Sequence, residues 1–138
     1  MLKFAPCAAS LFICVTAGLL PAVAQNQDTP PNQPFQAVHL IKVPSPDAEK
    51  TLLAALTDIN KAIVKGGCPK CEYHLWKVFG TQAGDYNYLW MSSWPGRDVY
   101  VKVHNSADYQ AAINKHPELE KIMDTQVYNR YVEVVPGK

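Results

Sequence analysis

The spacing of apolar residues changes several times along the chain, and each change marks a predicted element. Phe35 to Val43 (FQAVHLIKV) carries apolar side chains on both alternating faces, which predicts a strand covered on both sides. Ser45 then stands as an N-cap, with Pro46 at the first helical position and Asp47 and Glu49 near the positive end of the helix dipole. Leu52, Leu56, Ile59 and Ile63 follow at helical spacing and form one apolar stripe, while Lys50, Asp58, Lys61 and Lys65 lie largely off it. Gly66-Gly67 ends this helix, one glycine taking the left-handed position after the cap. Cys71 to Phe79 (CEYHLWKVF) and Tyr86 to Trp94 (YNYLWMSSW) read as two strands joined by the polar turn Gly80 to Asp85, hence an antiparallel hairpin. Arg97 to His104 carries two signals: VYVKV alternates like a strand, yet Asp98 can cap a helix, and a short helical turn is the reading adopted. Asn105 or Ser106 caps a further helix through Tyr109, Ala112 and Ile113, which Pro117 breaks before Leu119, Ile122 and Met123. Val127 to Val135 (VYNRYVEVV) is the last strand.

The resulting order, β-α-β-β-α-β, contains a split βαβ arrangement: an α+β, ferredoxin-like chain whose four-stranded antiparallel sheet carries two helices on one face. Two helices shield one face only. Tyr73, Leu75 and Phe79 nevertheless alternate with Trp76 and Val78, so the opposite face also needs cover, and a second copy of the chain is the economical cover. Over roughly residues 35 to 135, this element order and its aromatic strands resemble the dimeric α+β barrel superfamily, and in outline its antibiotic-biosynthesis monooxygenases. Members of that superfamily pack two such sheets face to face, so the resemblance implies a homodimer. The superfamily also holds haem-degrading monooxygenases, isomerases, decyclases, dehydratases and members with no known activity. Fold alone therefore selects neither reaction nor cofactor.

The chain ends refine the domain plan. Lys3, the apolar run Leu11 to Leu20 and the small-residue site Ala22-Val23-Ala24 predict a signal peptide over residues 1–24 and hence a periplasmic or secreted protein. The run is shorter than the roughly 20 residues that span a bilayer, and Pro21 closes it, so no membrane association is expected after cleavage. Residues 25–34 (QNQDTPPNQP) lack any large apolar side chain and read as a disordered leader, which leaves 35–138 as a single domain. Removal of Lys3 with the signal leaves twelve basic and twelve acidic residues. The basic residues are scattered singly, which argues against nucleic acid as a partner.

Cys7 and Cys14 leave with the signal, so the processed chain keeps Cys68 and Cys71, and an oxidising compartment makes that pair a disulfide. Cys68-Pro69-Lys70-Cys71 has the spacing of a redox motif, but it follows a helix and opens a strand, with no helix behind it to stabilise a thiolate. A metal reading through Cys68, Cys71 and His74 lacks a fourth ligand and turns Cys71 and His74 to opposite faces of a strand; no metal is expected.

His39 and His74 are the candidate catalytic residues. Each lies in a strand among apolar neighbours and can be a general base, a proton shuttle, a haem ligand or a half-buried structural histidine. His104 and His116 fall near helix ends, and the Pro117 that follows His116 favours a helix-terminal role there. Tyr86, Tyr88, Trp90, Ser92 and Trp94 share one face of their strand, forming either core or a stacking wall for a flat apolar or aromatic ligand. Arg130, in the last strand, needs a partner: Glu72, a dimer contact or a bound carboxylate. No phosphate-binding loop, hydrolase nucleophile elbow, zinc-protease helix or dinucleotide fingerprint is present. Two functional readings follow. The first is an exported small-molecule-binding protein or cofactor-free oxygenase or isomerase, with Tyr88, Trp90 and Arg130 as ligand contacts; the second is a non-catalytic periplasmic dimerisation or interaction protein with a structural disulfide.

Overall fold

A computed structural model of the chain describes residues 32–80 and 84–136; the expected signal peptide and most of the expected leader lie outside the described residues. The elements are β1 (Phe35–Ile41), α1 (Pro46–Lys65), a single 3-10 turn (Pro69–Cys71), β2 (His74–Lys77), β3 (Tyr88–Trp94), α2 (Arg97–His104), α3 (Ala107–Asn114), α4 (Glu118–Met123) and β4 (Val127–Tyr131). All four strands pair antiparallel in one sheet of order β2-β3-β1-β4. The fold is α+β and ferredoxin-like, as the element order predicts.

Local chemistry sets the helix ends. The Ser45 hydroxyl accepts from the Ala48 amide at 3.2 Å, and Gly67, at φ 93°, takes the left-handed turn that a side chain would resist. Leu52, Ala55, Ile59 and Ile63 of α1 are fully buried in the core they share with the inner sheet residues, while Leu56 is only half-buried. The second helical layer follows the expected plan, a short helix over Arg97–His104 and then a helix broken at Pro117, and differs in the first of its caps. Gly96, not Asp98, caps α2; the Ser106 hydroxyl caps α3 through the Tyr109 amide at 3.3 Å; and the chain restarts as α4 after Pro117.

The strands are shorter than their hydrophobic runs, for physical reasons visible at each end. The expected strand over Cys71 to Phe79 shrinks to His74–Lys77, because the Cys68–Cys71 disulfide, with Cα atoms 5.3 Å apart, spans the 3-10 turn. Cys71 therefore lies outside the strand, and the opposite-face argument between it and His74 does not apply. Just beyond, the Asn60 side chain accepts from the Tyr73 amide at 2.7 Å and donates to its carbonyl at 2.8 Å, replacing a strand neighbour. Asn87 does the same for Val43, at 2.7 and 2.9 Å, so β1 stops at Ile41. Cutting the disulfide with paired Cys68→Ser and Cys71→Ser changes is expected to cost about 2 kcal/mol, since so short a ring removes little unfolded-state entropy. Urea titrations of the two forms measure this.

Strand register divides the sheet into two unlike faces. Phe35, Ala37, Ile41, Tyr88, Trp90, Ser92 and Trp94 are buried toward the helices. On the other face Val38, Leu40, Leu89 and Met91 are half-buried, and Trp76 and Tyr131 are 57% and 51% exposed.

Candidate functional site

Between the inner sheet face and the α3–α4 segment lies a cavity of about 410 Å³. Its floor is His39 of β1, Trp90 of β3 and Tyr73; its roof includes Tyr109 and Ile113 of α3, His116 of the α3–α4 connection, and Leu119, Glu120 and Met123 of α4. The antiparallel register explains the floor: His39 stands opposite Trp90 on one side and Tyr128 on the other. Its ring stacks on Tyr128 with centroids 4.4 Å apart, and lies 5.8 Å from those of both Trp90 and Tyr73.

His39 has a defined electrical state. Its Nδ1 donates to Oε1 of Gln126 at 2.5 Å. Burial disfavours the charged ring and pushes its pKa down to about 4; the Gln126 hydrogen bond opposes that shift and the nearby charge of Arg130 adds to it. The ring is therefore neutral at pH 7, with its lone pair on Nε2. Among the described residues, the buried Nε2 of His39 and the buried indole Nε1 of Trp90 have no hydrogen-bond partner. One is an acceptor and the other a donor, and both residues line the cavity floor.

A second buried histidine underlies this floor. His104 donates from Nδ1 to the Tyr100 carbonyl at 2.8 Å, and its Nε2 accepts from the Tyr73 hydroxyl at 3.3 Å. Its ring stacks on Tyr100 at 3.7 Å, and burial pushes its pKa down to about 4 as well. Tyr73 and Tyr109 are buried and keep their protons, both shifted upward chiefly by desolvation. The sequence placed His104 only near a helix end. The available signal was its helical spacing from Tyr100, which puts both on the buried face of α2.

The expected site residues are separated by the fold. His39 and Trp90 line the cavity. His74 lies on the opposite sheet face, exposed and paired in register with Met91. Tyr88 is buried near the end of the sheet, with the Lys77 ammonium 5.4 Å from its ring centroid, and is not part of the cavity lining. Arg130 sits over three rings, 5.1 Å from Tyr100, 5.1 Å from Tyr128 and 5.9 Å from Phe35. Glu72, expected as a candidate partner for it, lines a separate groove with Thr57, Asn60 and Lys61.

His116 joins the site by a route the sequence concealed. Its Nε2 lies 2.9 Å from Oδ2 of Asp58, a residue of α1. Asp58 also accepts from Lys115 at 2.7 Å, and these two hydrogen bonds hold its carboxyl down to about 2.

No family model and no curated protein matches the chain. Solved structures share its fold. A dimeric ferredoxin-like protein of unknown function from Thermobifida fusca has a TM-score of 0.55 and 16% identity, covering 74% of this chain and 92% of that one. A second dimeric ferredoxin-like protein of unknown function, from Jannaschia, has a TM-score of 0.57 and 11% identity, covering 73% and 99%. SnoaB, a cofactor-independent oxygenase from Streptomyces nogalater, has a TM-score of 0.53 and 12% identity, covering 75% and 98%. At these identities the likeness is one of fold.

Proposed function

We propose that this protein is an exported homodimer that holds a small, planar, largely apolar molecule between its sheet and its helices and acts on it by cofactor-free acid–base chemistry. The observation that carries this reading is the unpartnered pair on the cavity floor, His39 Nε2 and Trp90 Nε1. A ligand hydroxyl donates to the first and accepts from the second, which satisfies two buried polar atoms at once. The flat faces of Trp90, Tyr73 and Tyr109 suit a ring system.

The chemistry follows from the same geometry. A neutral imidazole whose Nδ1 proton is committed to Gln126 presents only a lone pair to the ligand, so His39 is a hydrogen-bond acceptor and a general base for an acidic O–H or C–H. Proton removal by a protein side chain is compatible with an oxygenase or isomerase needing no bound cofactor, and SnoaB, of like fold, is a cofactor-independent oxygenase. The buried Cys68–Cys71 disulfide and the signal-like N-terminus support export. The outer sheet face with Trp76 and Tyr131, together with dimeric proteins of the same fold, supports the homodimer. A purely structural role for the protein accounts for that outer face but leaves the two unpartnered atoms of the floor without a purpose.

Calorimetric titration with 2-naphthol, a planar probe with one hydroxyl, tests the reading. His39→Phe keeps the ring and removes the acceptor, and the folded variant is expected to bind at least about tenfold more weakly, the worth of one buried hydrogen bond. Equal affinity in the two proteins would remove His39 from the site.

A further inference from the structure

We infer that His116, held from behind by Asp58, forms a second polar subsite on the cavity roof, so that the favoured ligand carries an oxygen function at each end of its ring system. The inference rests on the ligand-site reading above and adds a second point of recognition to it. His39 and Trp90 belong to the sheet floor, whereas His116 lies in the connection between α3 and α4, in the opposite wall of the same cavity. A planar molecule lying between these walls meets one imidazole on each side.

The two imidazoles are supported differently. His39 is tied to a neutral amide, Gln126, and burial keeps it uncharged. His116 is tied to a carboxylate; its side chain is 14% exposed against 22% for Asp58. The ionised Asp58 can only accept, which places a proton on His116 Nε2 and makes Nδ1 the ring nitrogen through which His116 would address a ligand. A hydroxyl is the matching group, since it donates to Nδ1 of a neutral ring and accepts from Nδ1–H of a charged one. Asp58 acts through His116 and is a positioning residue. The other charges around it are Lys115, at 2.7 Å, and Lys61, at 3.9 Å, both reaching out to solvent; Glu120, exposed, lines the same roof. A neutral hydroxyl is insensitive to these charges, whereas a carboxylate would meet Glu120.

The test compares 2,6-dihydroxynaphthalene with 2-naphthol by calorimetry on the wild-type protein, His116→Phe and Asp58→Asn. Wild type is expected to favour the diol by about tenfold, the worth of the second hydrogen bond. That preference, read as the ratio of diol to 2-naphthol affinity in each protein, should vanish in His116→Phe and shrink in Asp58→Asn. A general loss of structure weakens both probes together, so the ratio of their affinities, not either alone, reports the subsite. His116→Gln, which can still donate to Asp58, keeps the connection folded should His116→Phe fail to do so, and should likewise lose the preference. A wild-type preference of no more than about twofold, the statistical advantage of two equivalent hydroxyls, or a preference that survives in every variant, overturns the inference. If 2-naphthol binds in a His39-dependent way and the diol gains nothing, the subsite alone falls; if neither probe binds, the ligand-site reading falls and takes the subsite with it.

Discussion

Lowering the pH from 7 to 4.5 is expected to remove about 2 to 3 kcal/mol of folding stability for each of two core histidines, the half-buried His39 and the buried His104. Both have folded pKa values of about 4, against 6.5 for the unsupported side chain. Burial is the main cause in each case. Between those two values the unfolded chain binds protons that the folded chain refuses, so stability falls as pH falls through the window from 6.5 to 4 and is fully present above it. Asp58 does not contribute in this window: its carboxyl is held down to about 2 from 3.8, so the stability it adds persists above 3.8 and is lost only below that value. The combined loss is a large share of the 5 to 15 kcal/mol that holds a typical domain together, so the acid limb should be steep. Urea titrations at the two pH values measure it. A His39→Phe, His104→Phe double variant that still folds is expected to lose most of the slope. An unchanged wild-type midpoint would mean that the two rings are not neutral and shielded.

Trp94→Ala is expected to be the most destabilising single truncation, costing about 3 to 5 kcal/mol. The indole is 2% exposed and stands opposite Phe35 in the register. Its ring centroid lies 5.0 Å from those of Tyr100 and His104 and 6.3 Å from that of Tyr73. The indole N–H donates to the buried hydroxyl of Ser92 at 2.6 Å. Truncation leaves a cavity and removes one hydrogen bond from the Ser92 hydroxyl. Because Trp94 touches Tyr73 and His104 from behind, the loss should also loosen the cavity floor. Trp76→Ala is the contrasting control: it removes an equally large ring from the outer sheet face, where 57% of the residue is exposed within one chain. Thermal melts of the two variants separate the core from the outer face.

The hydrophobic period along the chain was enough to place the four strands and the α-helices in order, although the Asp98 marker did not act as a cap and the 3-10 turn at Pro69–Cys71 was not foreseen. Ser45, Ser106 and Pro117 all act where their types predict. The ends of the strands were not legible, since they depend on partners distant in sequence: Asn60 captures Tyr73 and Asn87 captures Val43 through side-chain hydrogen bonds. The site was half legible for the same reason. Period-two alternation put Tyr88, Trp90, Ser92 and Trp94 on one face, and the structure turns that face inward. It could not show that His39 faces Trp90 and Tyr128, because register belongs to the folded sheet. Nor could it separate His39 from His74, both strand histidines among apolar neighbours, which the pleat sends to opposite faces. The carboxylate that orients His116 lies 58 positions earlier, on a helix face that local sequence reads as solvated.

The sheet has two apolar faces; this chain's own helices close one over the cavity, and the proposed homodimer closes the other with a twin. Sedimentation equilibrium of the purified protein tests that directly: the account predicts a particle of twice the chain mass, which Trp76→Asp with Met91→Asp should split into folded single chains. A wild-type protein that sediments at the mass of one chain up to high concentration would contradict it.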